Sequence, residues 1–448
     1  VTERGLQHLR QAASARVDAA SLVILRLFVG LLVFVSAARF VAKGWVGELL
    51  LAPSFHFRYW GFDWVPIPSP ALAYALFGLV ALAGLALAAG LAVRASAALA
   101  CVAFTWLELV DLSYYLNHYY FLSCLLLCFA LVPPRPEHDG AVPAWKLWLL
   151  RTQIGLVYVY AGVAKLEPDW LLEAQPLKIW LARHAELPLV GPWMNEPWLA
   201  YAASWMGAGF DLLVVPALLW RPTRVPAYLA VIAFHVITGA LFPIGLFPLV
   251  MIGCATIMFE PDWPRRWLAP GSRLDRPTIT RARIERGAGV LAGVLLLVQL
   301  ALPWRHLAYP GSVLWHEQGA RYAYRVMLVE KAGAVSFRVH DRRSGRSFRV
   351  EPCDTELTML QTKMMSTQPD MIAAYARHLA KTYERAHPGA RVEVRVDAFV
   401  AVNGRPSARL IDPSVDLAAV DDGLAAKSWI LPPPEGLASH WPPKRGLQ

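Results

Sequence analysis

Ionisable side chains stand within otherwise apolar runs of this sequence, among them Arg26, Glu108, Asp111, Arg151, Lys165, Asp211 and His235. Charge is costly in hydrocarbon, so such groups face a bundle interior or a cavity and mark sites of chemistry. Lys165 raises the sharpest question. It closes the run "VYVYAGVAK", and the next acid along the chain is Glu167. A lysine works as a base only as the free amine, the form that desolvation favours. Asn117 and His118, in "LNHYYF", sit at a junction between two apolar runs. Lysine and histidine are the usual groups of general acid–base catalysis.

Spacing adds to this. Arg151, Tyr158 and Lys165 recur every seven residues and share a helical stripe, drifting by about 20° per heptad. Gly155 and Gly162 form a second stripe beside it, where another helix can come close. Plainer readings stand alongside. Lys165 could snorkel to a headgroup layer, Asn117 and His118 could cap a helix, and His235 could be a hydrogen-bonded core residue. Arg26 and Arg151 are expected to be structural ion-pair partners of Asp111, Glu108 or Asp211.

The elements that must position these groups are membrane spans. Of 448 residues, 56% are hydrophobic and 17% charged, and the mean hydropathy is +0.39, which excludes an ordinary water-soluble globule. A helix needs roughly 20 apolar residues to cross a core of about 30 Å. Candidate spans fall at about 20–41, 70–92, 95–116, 118–133, 145–166, 198–220, 225–242, 243–259 and 287–303. Pro243 and Pro248 leave 225–259 open between two short helices and a re-entrant turn. The first run is too long for a signal-peptide core and is expected to be retained.

With the N-terminus inside, inward segments carry 15 lysines and arginines and outward loops 4 beyond Lys165, seven of the 15 in 261–286. That bias fits the positive-inside rule and puts the tail after residue 303 outside. The net charge of +10 therefore reads as topology, and nucleic acid is not an expected partner. Cys101, Cys124, Cys128 and Cys254 lie in apolar runs with Cys353 outside them, so neither a disulfide framework nor a metal-binding spacing is expected.

Residues 304–448 differ in kind. "SFRVHDRRSGRSFRVEP" alternates around a Ser-Gly turn as a β-hairpin does. Residues 355–386 have helical spacing interrupted near Pro369, "ARVEVRVDAFVAVNGRPSARLI" returns to period two, and the Pro-rich end is irregular. The expected fold is a polytopic α-helical membrane protein of about 8–9 transmembrane helices, residues 1–303, with a β-rich extramembrane α/β domain, 304–448, on its outer face.

"LRTQIGLVYVYAGVAKLEPDW" closely resembles the central helix of the vitamin K-dependent γ-glutamyl carboxylase family. "NHYYFLSCLL", "AFHVITGALFPIGLFPLVMI", "PDWPRR" and "LIDPSVDL" resemble further segments of that family in the same order, over about Arg26 to Trp429. The resemblance implies an enzyme that oxygenates a reduced vitamin K or menaquinol with O2 to the epoxide. Coupled to this, CO2 adds to the γ-carbon of a glutamate in a peptide or protein. It implies Lys165 as the base and His118 as a residue required for activity, with Asn117, Tyr158 and His235 lining the quinone site. No metal is implied. The chain is shorter than animal members of that family and nothing in it marks a propeptide site, so quinol epoxidation without protein carboxylation is a second reading. A non-enzymatic quinone-binding membrane protein is a third. The Ala- and Arg-rich composition points to a bacterial inner membrane, with the N-terminus cytoplasmic, the C-terminal domain extracytoplasmic and lipids as the surroundings. The protein substrate, native quinone and oligomeric state stay open.

Overall fold

The computed structural model describes residues 11–133, 140–268 and 286–437. Arg4, Arg10, Arg135 and the arginines of 269–285 in the charge tally, and the chain end after 437, lie outside them. Nine helices follow the expected runs: α1 (Ala20–Ala42), α2 (Pro70–Ala89), α3 (Val93–Leu109), α4 (Asn117–Leu131), α5 (Ala144–Ala164), α6 (Pro197–Leu219), α7 (Arg224–Leu241), α8 (Phe247–Ala255) and α9 (Arg286–Ala301). Among the described residues, six helical segments are long and apolar enough to cross a membrane: Ala20–Ala42, Pro70–Ala89, Ala144–Ala164, Pro197–Leu219, Arg224–Leu241 and Gly287–Ala308. Two shorter apolar helices, Asn117–Leu131 and Phe247–Met258, pack among them. The protein is thus a polytopic membrane protein in which several helices stop short of a full crossing.

Local chemistry sets the helix ends. Ser69 accepts from the Leu72 amide ahead of Pro70, and Gly90 closes α2 in the left-handed region at φ 77°. Between α7 and α8, Phe242 leaves helical backbone before Pro243, Gly245 turns at φ 62°, and Pro248 restarts the chain. The ambiguous 225–259 stretch is therefore two helices, the second short. α1 and α2 cross tightly. A Cβ on Gly30 would stand 2.6 Å from the Gly84 carbonyl oxygen, closer than any side chain tolerates.

The C-terminal part builds one antiparallel sheet in the order β2-β1-β3-β4, from β1 (Lys331–Asp341), β2 (Ser347–Val350), β3 (Val392–Val402) and β4 (Ala408–Arg409). β1 and β3 pair along their whole length, from Lys331 opposite Val402 to Asp341 opposite Val392. Helices α10 (Met359–Met365) and α11 (Pro369–Ala386) follow the hairpin. Met371, Ile372 and Tyr375 of α11 join Phe337, Val394 and Val396 in one buried core.

This domain does more than rest against the helical part. Tyr324 is fully buried within the helical bundle's core. Its hydroxyl donates to Gln299 of α9 at 3.0 Å and accepts from Gln153 of α5 at 3.2 Å. Beyond the end of α5, Asp169 receives two bonds from Arg405, at 2.7 and 2.8 Å, and one from Asn403 at 2.8 Å. Glu167 pairs with Arg325.

Candidate functional site

Lys165 caps the C-terminal end of α5, beneath the sheet domain. α6 meets α5 there because Gly162 has no side chain: a Cβ on it would lie 2.8 Å from Leu212 Cγ and 2.9 Å from the Leu212 amide nitrogen. The approach brings Asp211 to Lys165. Nζ donates to Asp211 Oδ2 at 2.7 Å, both side chains are buried, and the Ala161 carbonyl accepts a second bond at 3.3 Å. Trp170 covers the amine, its ring centre 5.2 Å from Nζ, and is itself fixed by donating from Nε1 to the Ser204 carbonyl.

The pair opens on a cavity of about 230 Å³ with mostly apolar walls. Tyr158, one heptad before Lys165, and His235 of α7 also line it. The Tyr158 hydroxyl and His235 Nε2 are 3.1 Å apart and joined by a hydrogen bond. His235 Nδ1 is buried with no hydrogen-bond partner among the described residues. An orphaned buried nitrogen costs about 1–3 kcal/mol unless something occupies it. Phe247 and Phe234 lie edge-on to the imidazole at 5.8 and 5.3 Å.

A second cavity, about 630 Å³ and more polar, lies against the first. The two share Trp180, Leu241, Phe242, Ile244 and Met327 as a common wall. Its guanidinium groups are each engaged: Arg183 with Glu330, Arg321 with Asp370, Arg325 with Glu167. Burial works against the Asp370 charge, yet Arg321 holds that carboxyl below its ordinary value. Burial likewise opposes the Arg321 charge, and Asp370 nonetheless raises the guanidinium above its ordinary value.

Lys165, Tyr158 and His235 thus come together on one cavity, and Asn117 and His118 do not join them there. Asn117 lines the polar cavity, where it accepts from the Tyr115 hydroxyl at 3.0 Å and donates to the Arg325 carbonyl at 3.5 Å. The His118 ring lies tilted against Phe247, centres 5.9 Å apart, and Phe247 in turn meets His235 edge-on at 5.8 Å.

The expected arginine–acid pairs need correction. Arg151 donates to the carbonyls of Ile257 and Phe259, at 2.9 and 2.6 Å, and lies over Trp148. These carbonyls end the α8 segment, where a helix leaves acceptors unpaired and its dipole is negative, so a cation serves them as well as an acid would serve the cation. Arg26 likewise donates to a helix-end carbonyl, that of Ala88. Asp111 lies just past α3, where it caps a short turn through the Ser113 amide and meets His56 at 3.1 Å and Gln361 at 2.8 Å. Asp211 holds Lys165. The missed partnership had a trace in sequence: Ser204, Gly207, Ala208 and Asp211 recur at three- and four-residue spacing and form the buried face of α6.

A family model of the HTTM domain matches residues 15–263, and one described as the vitamin K-dependent gamma-carboxylase, lumenal domain, matches residues 286–436. The first match places a large membrane domain in a defined class. With the second joined to it, the chain belongs to the vitamin K-dependent gamma-carboxylase family. No solved structure matches the chain.

Proposed function

We propose that this protein is an integral-membrane γ-carboxylase that couples oxygenation of a naphthohydroquinone to its epoxide with addition of CO2 to glutamate in a peptide or protein. The observation that carries the reading is an apolar chamber in which four polar side chains converge, one of them with an unpartnered buried nitrogen. A naphthohydroquinone fits that set: flat apolar rings for the walls, and two hydroxyl oxygens for His235 Nδ1 and the Lys165–Asp211 pair. When bound, the quinol supplies the reductant for O2 and the strong base that carboxylation requires.

Lys165 takes the proton of one quinol hydroxyl. Asp211 lets the free amine exist in the dry site, because the pair is neutral as amine with carboxylic acid as well as ammonium with carboxylate. The charge gained with the quinol's proton is balanced by the quinolate left beside it, and a buried charge persists only when paired. His235 orients the other oxygen, with Tyr158 fixing the ring. The aromatic walls exclude water, which would quench a strong base. The glutamate side chain approaches from the polar cavity, past Met327 and Phe242. Asn117 borders that route, and His118 acts through Phe247. The bias of basic residues and the matched lumenal-domain family support an extracytoplasmic sheet domain and a cytoplasmic N-terminus, and the composition supports a bacterial inner membrane.

One observation favours the narrower reading, epoxidation without protein carboxylation: each guanidinium lining the polar cavity already holds a carboxylate of this chain. The test is purified protein in detergent with reduced vitamin K, O2, labelled bicarbonate and a Glu-containing peptide. Epoxide with labelled peptide supports the full reaction, and epoxide alone the narrower one. Neither product, with quinol bound, defeats both.

A further inference from the structure

The walls of the Lys165 chamber are not all interior. Met206 of α6 and Ile237 of α7 line it, yet they are 65% and 57% exposed. Both stand on helices long and apolar enough to span a membrane, so what they are exposed to is lipid. Neighbours on the same helices are also bare: Trp205 at 58% and Val236 at 56%. The two helices are tied at their other ends, where Arg224 of α7 donates to the Leu218 and Leu219 carbonyls of α6 at 2.7 and 3.0 Å. Phe210 of α6 also stacks on Phe234 of α7, ring centres 4.1 Å apart. One turn further toward the sheet domain, Met206 and Ile237 each meet both the chamber and lipid and so flank a gap in its wall.

Size gives the gap a purpose. The chamber, at about 230 Å³, falls below the roughly 300 Å³ where pockets for drug-sized ligands begin. A bicyclic ring fills it and a polyprenyl chain has no room beside the ring. We propose that the opening between α6 and α7, flanked by Met206 and Ile237, is a lateral portal: the quinone ring sits inside against Lys165, and its isoprenoid tail stays in the bilayer. The inference rests on the proposed function for the ligand class, and on geometry alone for the portal. It makes the protein selective for the ring and tolerant of tail length.

The test is saturation binding of two tritiated probes, 2-methyl-1,4-naphthoquinone and its geranylgeranyl-substituted form, to full-length protein in lipid nanodiscs. Met206→Trp with Ile237→Trp fills the gap. Leu213→Trp, on the exposed face of α6 but off the chamber, is the control for folding. The double variant should bind the long-chain probe at least tenfold more weakly while its affinity for the tail-less ring shifts less than threefold, and the control should match wild type for both. An unchanged ratio of the two affinities in the double variant overturns the portal. Wild type that binds both probes but forms no epoxide sinks the proposed reaction and leaves the portal standing.

Discussion

Gly162 and Leu212 touch so closely that the spacing between α5 and α6 is set by the absence of one carbon atom. That contact aligns Lys165 with Asp211. Gly162→Ala should force the helices apart, cost about 1–3 kcal/mol as overpacking does, lower Tm in detergent and remove most epoxide formation. Gly155→Ala is the comparison, since its Cβ would meet Val215 at 3.4 Å, an ordinary contact. Equal losses in the two variants would count against the close approach.

Breaking the buried pair should hurt more than deleting it. Asp211→Ala leaves Lys165 without its acid, and loss of one partner from a buried ion pair costs about 3–5 kcal/mol. Lys165→Met with Asp211→Leu should recover most of that stability while forming no epoxide. Thermal unfolding in detergent, read beside the epoxide assay, separates the two effects. Recovery of epoxide in the double variant would exclude Lys165 as the base.

His235 and His118 should differ. His235 lines the chamber, whereas His118 does not and touches only its Phe247 wall. His235→Ala is expected to weaken naphthoquinone binding about tenfold, and His118→Ala to leave binding within threefold of wild type. Equilibrium binding of 2-methyl-1,4-naphthoquinone decides it.

The membrane part was legible because apolar runs and basic loops are one-dimensional signals, and because the heptad of Tyr158 and Lys165 lies within one helix. The hairpin was equally plain from alternation around Ser344-Gly345. The partner of Lys165 was not, since Asp211 lies 46 residues away and only a packing contact at Gly162 selects it. Arg151 misled for a related reason. A cation in an apolar run suggests an acid, but the carbonyls of a helix end leave no mark on side-chain sequence. The insertion of Tyr324 was likewise hidden, because that segment is polar enough to read as a loop.

The hairpin has its own titration. Asp341 accepts from the Ser344 hydroxyl at 2.6 Å and from the amides of Arg343 and Arg391 at 2.9 and 3.1 Å. These bonds, that of Ser344 foremost, hold its carboxyl down at about 2. A carboxyl lowered on folding stabilises fully above its unfolded value, near 3.9, and loses that contribution as pH falls through the folded one. Asp341→Asn should therefore lower Tm by a constant amount above about pH 4, and the gap should close toward pH 2. A gap that persists at pH 2 would show that the side chain acts through packing instead.

Asp169, four residues beyond Lys165, is held by Asn403 and Arg405, the latter 236 positions later in the chain. During synthesis the helices that frame the amine are inserted long before those two residues leave the ribosome. The segment just after Lys165 therefore lacks these bonds until translation has passed residue 405. Completion of the fold around Lys165 is in this sense timed by residues of the sheet domain, and a fragment holding only the lipid-embedded part would be made without its lock.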